Sequence, residues 1–289
     1  MADQAELLRL KIRQHQGLNV AKTVAVISGK GGVGKSNFSL NFSILLSKLG
    51  KRVLLFDMDI GMGNIDILLG NGSERTIVDF FQNGYSMKEV ITNGPAGLSY
   101  ISGGTGLTNL FSMSSRQFER FTNEFANIQG EYDYVIFDLG AGISQESNKF
   151  LMCVDEIITI TTPEPTSIMD AYSIIKFLHF QCEDTPIFLV CNRTAREKQG
   201  NATINKIQST LQRFIGKEII PLGLLPDSKI VSKAVIRHTP FYILNPNADI
   251  SLALYQLTSN YLTHAYEETE PVLMKQSFIG KLKNYFIGR

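Results

Sequence analysis

Much that would mark a secreted, fibrous or nucleic-acid-coating protein is missing from this sequence. Its 289 residues include three cysteines, Cys153, Cys182 and Cys191. None is spaced two from another, which excludes a CxxC metal clip and argues against a disulfide framework. Lys and Arg number 28 against 27 Asp and Glu, a formal net charge of +1, so there is no electrostatic footprint for nucleic acid and no such partner is expected. No stretch reaches the roughly 18 apolar residues needed to cross a bilayer. The opening segment, MADQAELLRLKIRQ, is charged throughout and lacks the apolar run of a signal peptide. A cytoplasmic protein is expected, able at most to sit on a membrane from the side. No internal repeat, low-complexity segment or dividing linker is evident.

What is present is an ordinary globular composition, 44% hydrophobic and 19% charged, which excludes disorder and collagen-like repeats. Along the chain, strand, turn and helix alternate. Thr23 to Ser28, Arg52 to Phe56, Tyr134 to Asp138, Glu156 to Thr161 and Pro186 to Cys191 are continuously apolar or β-branched runs. That pattern suits parallel strands covered on both faces. Helical periodicity lies between them over Ser36 to Leu49, Ser115 to Ile128, Ser167 to Phe180 and Ala202 to Phe214. The alternation predicts an α/β fold with a doubly wound, mostly parallel sheet flanked by helices. A core domain over 21–266 is expected, preceded by a short segment, 1–20, and followed by a basic tail, 272–289.

Chemistry concentrates in one loop. Gly29-Lys-Gly-Gly-Val-Gly-Lys-Ser36 fits GxxxxGK(S/T) between a strand and a helix. Phosphates need glycines there, because the backbone must approach closely and turn its N–H groups inward. Gly29, Lys30, Gly31, Gly32, Val33 and Gly34 form the cradle, with Asn37 following. Lys35 is expected on the β- and γ-phosphates, and the Ser36 hydroxyl on Mg²⁺. Asp57, Asp59 and Asp138 end strands, and the carboxyl ends of such strands face the ligand crevice. Asp138 suits a magnesium-bound water and Asp59 the attacking water, since hydrolysis asks mainly for orientation and charge neutralisation. At the base side, Arg193 and Ala195 stand where a guanine-reading NKxD would need Lys and Asp. Asn192 can offer its amide to a purine edge, or serve as an ordinary turn residue.

These motifs resemble the deviant Walker A group of MinD/ParA-type ATPases, in the SIMIBI class of P-loop ATPases. The resemblance rests on KGGVGKS at 30–36, on Phe56-Asp-Met-Asp-Ile-Gly-Met-Gly-Asn64 and on Asp138-Leu-Gly-Ala-Gly142. It implies an ATPase using Mg-ATP and ADP, with slow, dimerisation-dependent turnover. Lys30, by itself a solvated loop lysine, would reach the nucleotide of a partner subunit in an ATP-bound homodimer. Asp59 would be the catalytic aspartate and Asp138 the switch-two aspartate. Asn192 would contact adenine, and Leu225-Pro-Asp-Ser228 would flank it through Pro226 and Asp227.

The two ends extend the resemblance. In the tail, Phe278, Ile279, Leu282, Tyr285 and Phe286 share one helical arc with Lys281 and Lys283 beside it. Such a helix can lie in an anionic membrane interface or pack on its own domain. At the start, Leu7, Leu8 and Ile12 alone describe only a small apolar stripe on a fraying helix. However, Asp3-Gln-Ala-x-x-Leu-Arg9, with Gln4, Ala5 and Leu8 in it, is similar to the N-terminus of the FlhG (YlxH/FleN) family. That resemblance implies regulation of flagellar number and placement and of basal-body assembly. The partners it implies are an FlhF-type SRP-like GTPase stimulated by the N-terminus, a flagellar C-ring component and membrane lipid. A division-site or partition ATPase of the same fold is the alternative. An iron–sulfur carrier lacks the paired cysteines it would need, and a non-hydrolysing scaffold would not need Lys30, Lys35 and Asp59.

Overall fold

Strand β1 (Lys22–Ile27) lies near the middle of the sheet and runs straight into the glycine-rich loop. The computed structural model describes residues 20–59, 64–70, 72–104, 114–142, 148, 150–182, 184–267 and 277–287. Its other strands are β2 (Val53–Asp57), β3 (Thr92–Asn93), β4 (Ser99–Ile101), β5 (Tyr134–Asp138), β6 (Glu156–Thr161), β7 (Ile187–Thr194) and β8 (Ile220–Pro226). The order across the sheet is β3-β4-β2-β5-β1-β6-β7-β8, and every pairing is parallel except β3 with β4. This bears out the doubly wound expectation.

The helices are α1 (Lys35–Lys48), α2 (Asn64–Leu69), α3 (Ile77–Gln82), α4 (Ser115–Gln129), α5 (Pro165–Gln181) and α6 (Glu197–Ile215). They continue with α7 (Lys229–Ile236), α8 (Phe241–Leu244), α9 (Asp249–Glu267) and α10 (Phe278–Ile287). Alternate residues of each central strand face opposite layers. Val24, Val26 and Ile136 meet Phe38 and Phe42 of α1 and Leu254 and Tyr261 of α9 on one side. Ala25, Ile27 and Phe137 meet Phe121 and Phe125 of α4 and Ile174 of α5 on the other. Burial on both faces is why these strands read as unbroken apolar runs.

Some elements escaped the sequence pattern. Strand β8, IPLGLLP, contains two prolines and has Gly223 at φ 157. Proline is tolerated in it because it is the last strand of the sheet. Helix α6 starts at Glu197, five residues ahead of the expected Ala202, because its first turn is polar and exposed. Gly200 in that turn is required by packing: a Cβ there would meet Leu224 and Thr194 side-chain atoms at 2.8 Å.

The tail helix α10 is docked against the body. Phe278, Ile279 and Leu282 are buried, and the Phe278 ring lies 5.0 Å from Phe150, 5.4 Å from Phe137 and 5.5 Å from Phe125, centroid to centroid. Ser277 caps it, its hydroxyl accepting from Gly280 N at 3.1 Å. Lys281 and Lys283 are partly exposed, and Tyr285 is 44% exposed on the outer side. Of the residues expected to face lipid, Phe278, Ile279 and Leu282 thus belong, in this arrangement, to the buried core, while Tyr285 does not. Asp3, Gln4, Ala5, Leu8 and Arg9 lie outside the described residues, as does the Phe286 side chain. No helix among the described residues is long and apolar enough to cross a membrane.

Candidate functional site

The register of the three central strands assembles the site. Val26 of β1 and Asp57 of β2 both pair with Asp138 of β5, so the glycine loop and two carboxylates emerge side by side. Gly32 and Gly34 take φ values of 78° and 93°, a region that L side chains rarely adopt. Gly34 directly precedes α1, so the loop delivers the orphan N–H groups of a helix start to the cavity. That cavity measures about 630 Å³ and is lined by Gly31, Gly32, Gly34, Lys35, Ser36 and Asp59, among others.

Lys35 is 6% exposed, and its Nζ lies 2.7 Å from Asp138 Oδ1, which also accepts from Ser39 Oγ at 2.9 Å. Asp138 Oδ2 is buried with no hydrogen-bond partner among the described residues. A buried oxygen without a partner is costly unless something polar completes it. Together with the hydroxyl of Ser36, which lines the same cavity as Lys35, this donor set fits a magnesium ion held directly by Ser36 and through water by Asp138. Bound there, the ion would neutralise phosphate charge.

Asp57 is fully buried. Its Oδ1 accepts from Asp59 N at 3.0 Å and its Oδ2 from Ile65 N at 3.2 Å. Burial pushes its carboxyl up to about 7, and the neighbouring Asp138 charge adds to this, while the two N–H bonds and Lys35 oppose it. Asp59 stands at the cavity wall beside Gly140, where a Cβ would come 3.4 Å from Asp59 Oδ1. Asn64 donates to Asp59 Oδ2 at 2.8 Å.

Lys30 sits at the rim, 42% exposed. Its Nζ bonds Glu164 Oε2 at 3.0 Å and Thr166 Oγ1 at 3.2 Å, both at the start of α5. Gly29 is needed beneath that helix, since a Cβ there would lie 2.5 Å from the Asp170 carbonyl.

A second cavity of about 410 Å³ adjoins the first through Gly34, Asn37 and Arg193. Asn192, Pro226, Asp227, Val231, Phe241 and Ile250 line it, a mixture of apolar walls and polar groups suited to a base. Asn192 does more here than face that cavity. Its Nδ2 donates to Val33 O at 2.8 Å and its Oδ1 accepts from Arg193 N at 2.9 Å. The amide therefore ties the end of β7 to the phosphate loop. Asp227 N donates to Thr194 O at 3.1 Å, fixing the base-side loop to the same strand end.

Of the expected residues, Lys35, Ser36 and Asp59 thus line one cavity and Asn192, Pro226 and Asp227 the adjoining lobe, while Asp138 is joined to the first through Lys35 and Lys30 to the second through Glu164. Sequence reasoning missed Ser39, Glu164 and Thr166, and gave no role to Asn64 or Arg193, which it met only inside the 56–64 motif and the strand-end comparison.

Comparison with known proteins gives the family. The family model described as the CobQ/CobB/MinD/ParA nucleotide binding domain matches residues 24–241. The antiactivator FleN of Pseudomonas aeruginosa is 31% identical over 242 residues, covering 84% of this chain and 86% of FleN. The flagellum site-determining protein YlxH of Helicobacter pylori is 32% identical over 270 residues, covering 91% of this chain and 90% of YlxH. Among solved structures, the MinD cell division protein of Aquifex aeolicus has a TM-score of 0.68 at 24% identity, covering 89% of this chain and all of that one. The chain belongs to the CobQ/CobB/MinD/ParA nucleotide-binding family, in company with FleN and YlxH, and is an ATPase of that family.

Proposed function

We propose that this ATPase is a magnesium-dependent switch for flagellar number, placement and basal-body assembly. With ADP it is a monomer whose tail helix is docked. With ATP it pairs with a second copy and presents its tails to anionic lipid at the cytoplasmic face of the cell membrane. The observation that carries the switch is the position of Lys30. A lysine inside a phosphate loop points out over the rim, held by exposed groups that a second subunit would displace at little cost. Reaching the partner's nucleotide, it would stabilise the charge of the transferring phosphoryl as an arginine finger does. Inside each subunit, Lys35 would leave Asp138 for the phosphates, Ser36 and Asp138 would hold the ion, and Asp59 would orient water.

Two docked tails released together would bind a membrane with avidity that neither has alone. The flagellar assignment draws on the names and coverage of FleN and YlxH. Through residues 1–20 the protein would stimulate an FlhF-type GTPase, with Gln4 as the active element, while its body engages a C-ring component. The test is GTP turnover by such a GTPase with and without a peptide of residues 1–20. Stimulation of several fold, lost in Gln4→Ala, is expected. Unchanged turnover would favour a septum-placing role, as the name of the 28%-identical MinD of Bacillus subtilis suggests for that relative.

A further inference from the structure

We propose that His238 is a positioning residue for ATP hydrolysis, acting on Asp59 through helix α2 from outside the nucleotide cavities. The inference rests on the reading of Asp59 as the residue that orients the attacking water.

Helix α2 has only six residues, too few to hold together unaided, so its placement comes from what grips it. At its start, Asp57 accepts the Ile65 N–H, and Asn64 holds Asp59. At its end, the Ile67 carbonyl meets His238 Nδ1 at 2.7 Å. A carbonyl can only accept, so the imidazole carries a proton on Nδ1. The two ends of one short helix are thus tied to the phosphate side and to His238, and its first residue holds the water-orienting carboxylate.

The clasp at the far end uses two uncommon features. His238 adopts φ 47, a left-handed conformation that costs a non-glycine residue free energy unless its surroundings enforce it. Gly70, just past α2, lies against it: a Cβ there would sit 2.4 Å from His238 Cβ. A side chain at residue 70 would push the imidazole off the helix end. His238 lines neither nucleotide cavity. It follows α7, whose Val231 and Ser232 line the base lobe, and its own N–H bonds Val235 O at 3.1 Å. A continuous path therefore runs from the base lobe along α7 to His238, across to Ile67, and down α2 to Asn64 and Asp59. Movement of α7 as a base enters would be felt at the hydrolytic carboxylate.

The test is single-turnover hydrolysis of Mg-ATP by the full chain at saturating nucleotide, with ATP affinity measured separately. His238→Ala is expected to slow hydrolysis about 3- to 10-fold, the scale of one lost hydrogen bond, with affinity changed less than about 2-fold. His238→Gly, which accepts φ 47 without strain but has no donor, is expected to be equally slow. His238→Asn supplies an N–H at the same place and tolerates the left-handed region, and is expected to restore the rate. Asn64→Ala combined with His238→Gly should be no slower than the slower single variant, because both act along one path.

Wild-type rates in both His238→Ala and His238→Gly would overturn the proposal, as would multiplicative losses in the double variant. Should His238→Ala not fold, His238→Gly and the double variant decide alone. If Asp59→Ala hydrolyses ATP normally, the reading of Asp59 itself fails. If Asp59→Ala is inert while His238→Gly matches wild type, only the His238 proposal fails.

Discussion

Asp57 concentrates the electrostatic strain of the site at a single residue. It is buried beside Asp138 on the neighbouring strand, and its carboxyl titrates near 7 instead of the ordinary 3.8. The folded chain therefore holds this proton more tightly than the unfolded chain does. The stabilisation is fully present below about pH 4 and is lost as pH rises through about 7. We expect the melting temperature of nucleotide-free protein to fall between pH 5 and pH 8, and Asp57→Asn to flatten that fall. Parallel melting curves for the two proteins would refute the assignment. At this scale, legibility depended on locality. Lys35 and Ser36 were readable because their roles follow from a contiguous loop. Ser39 and Glu164 were not, because their partners, Asp138 and Lys30, lie 99 and 134 residues away in sequence.

Helix α10 decides what the element scale adds. Composition left its apolar arc equally suited to lipid or to the body, and the structure places Phe278 among Phe125, Phe137 and Phe150. Burying side chains of this size contributes about 1.5–3 kcal/mol each, so insertion into a membrane must compete with a real internal site. A change in the groove should tilt that competition without altering the tail. Phe150→Ala removes one wall, at a cost of about 3–5 kcal/mol to packing. It is expected to raise co-sedimentation with anionic liposomes in the absence of ATP, by several fold over wild type. Equal sedimentation, in a variant shown by circular dichroism to be folded, would mean that docking does not limit membrane access. Elsewhere the strands were legible because parallel strands must be apolar on both faces. Strand β8 was not, because an edge position excuses its prolines.

For the whole molecule, the loop that carries Lys30 faces outward, and the proposed cycle turns on a second copy completing the site. Lys30→Ala should still bind ATP, remain monomeric in light scattering with ATP, and lose turnover on the order of 10³-fold, as for a missing arginine finger. A normal ATP-dependent dimer in that variant would remove Lys30 from the interface. By itself the sequence determined the fold class, the phosphate loop and the strand-end carboxylates. These follow from local backbone geometry and from a two-faced hydrophobic pattern, both written in consecutive residues. Only the tertiary structure decided that Lys35 rests on Asp138, that Asn192 ties β7 to the phosphate loop, and that Phe278, Ile279 and Leu282 of the tail are covered. Those outcomes depend on register between strands and on which of several apolar surfaces meet, and contacts between residues far apart in the chain settle both.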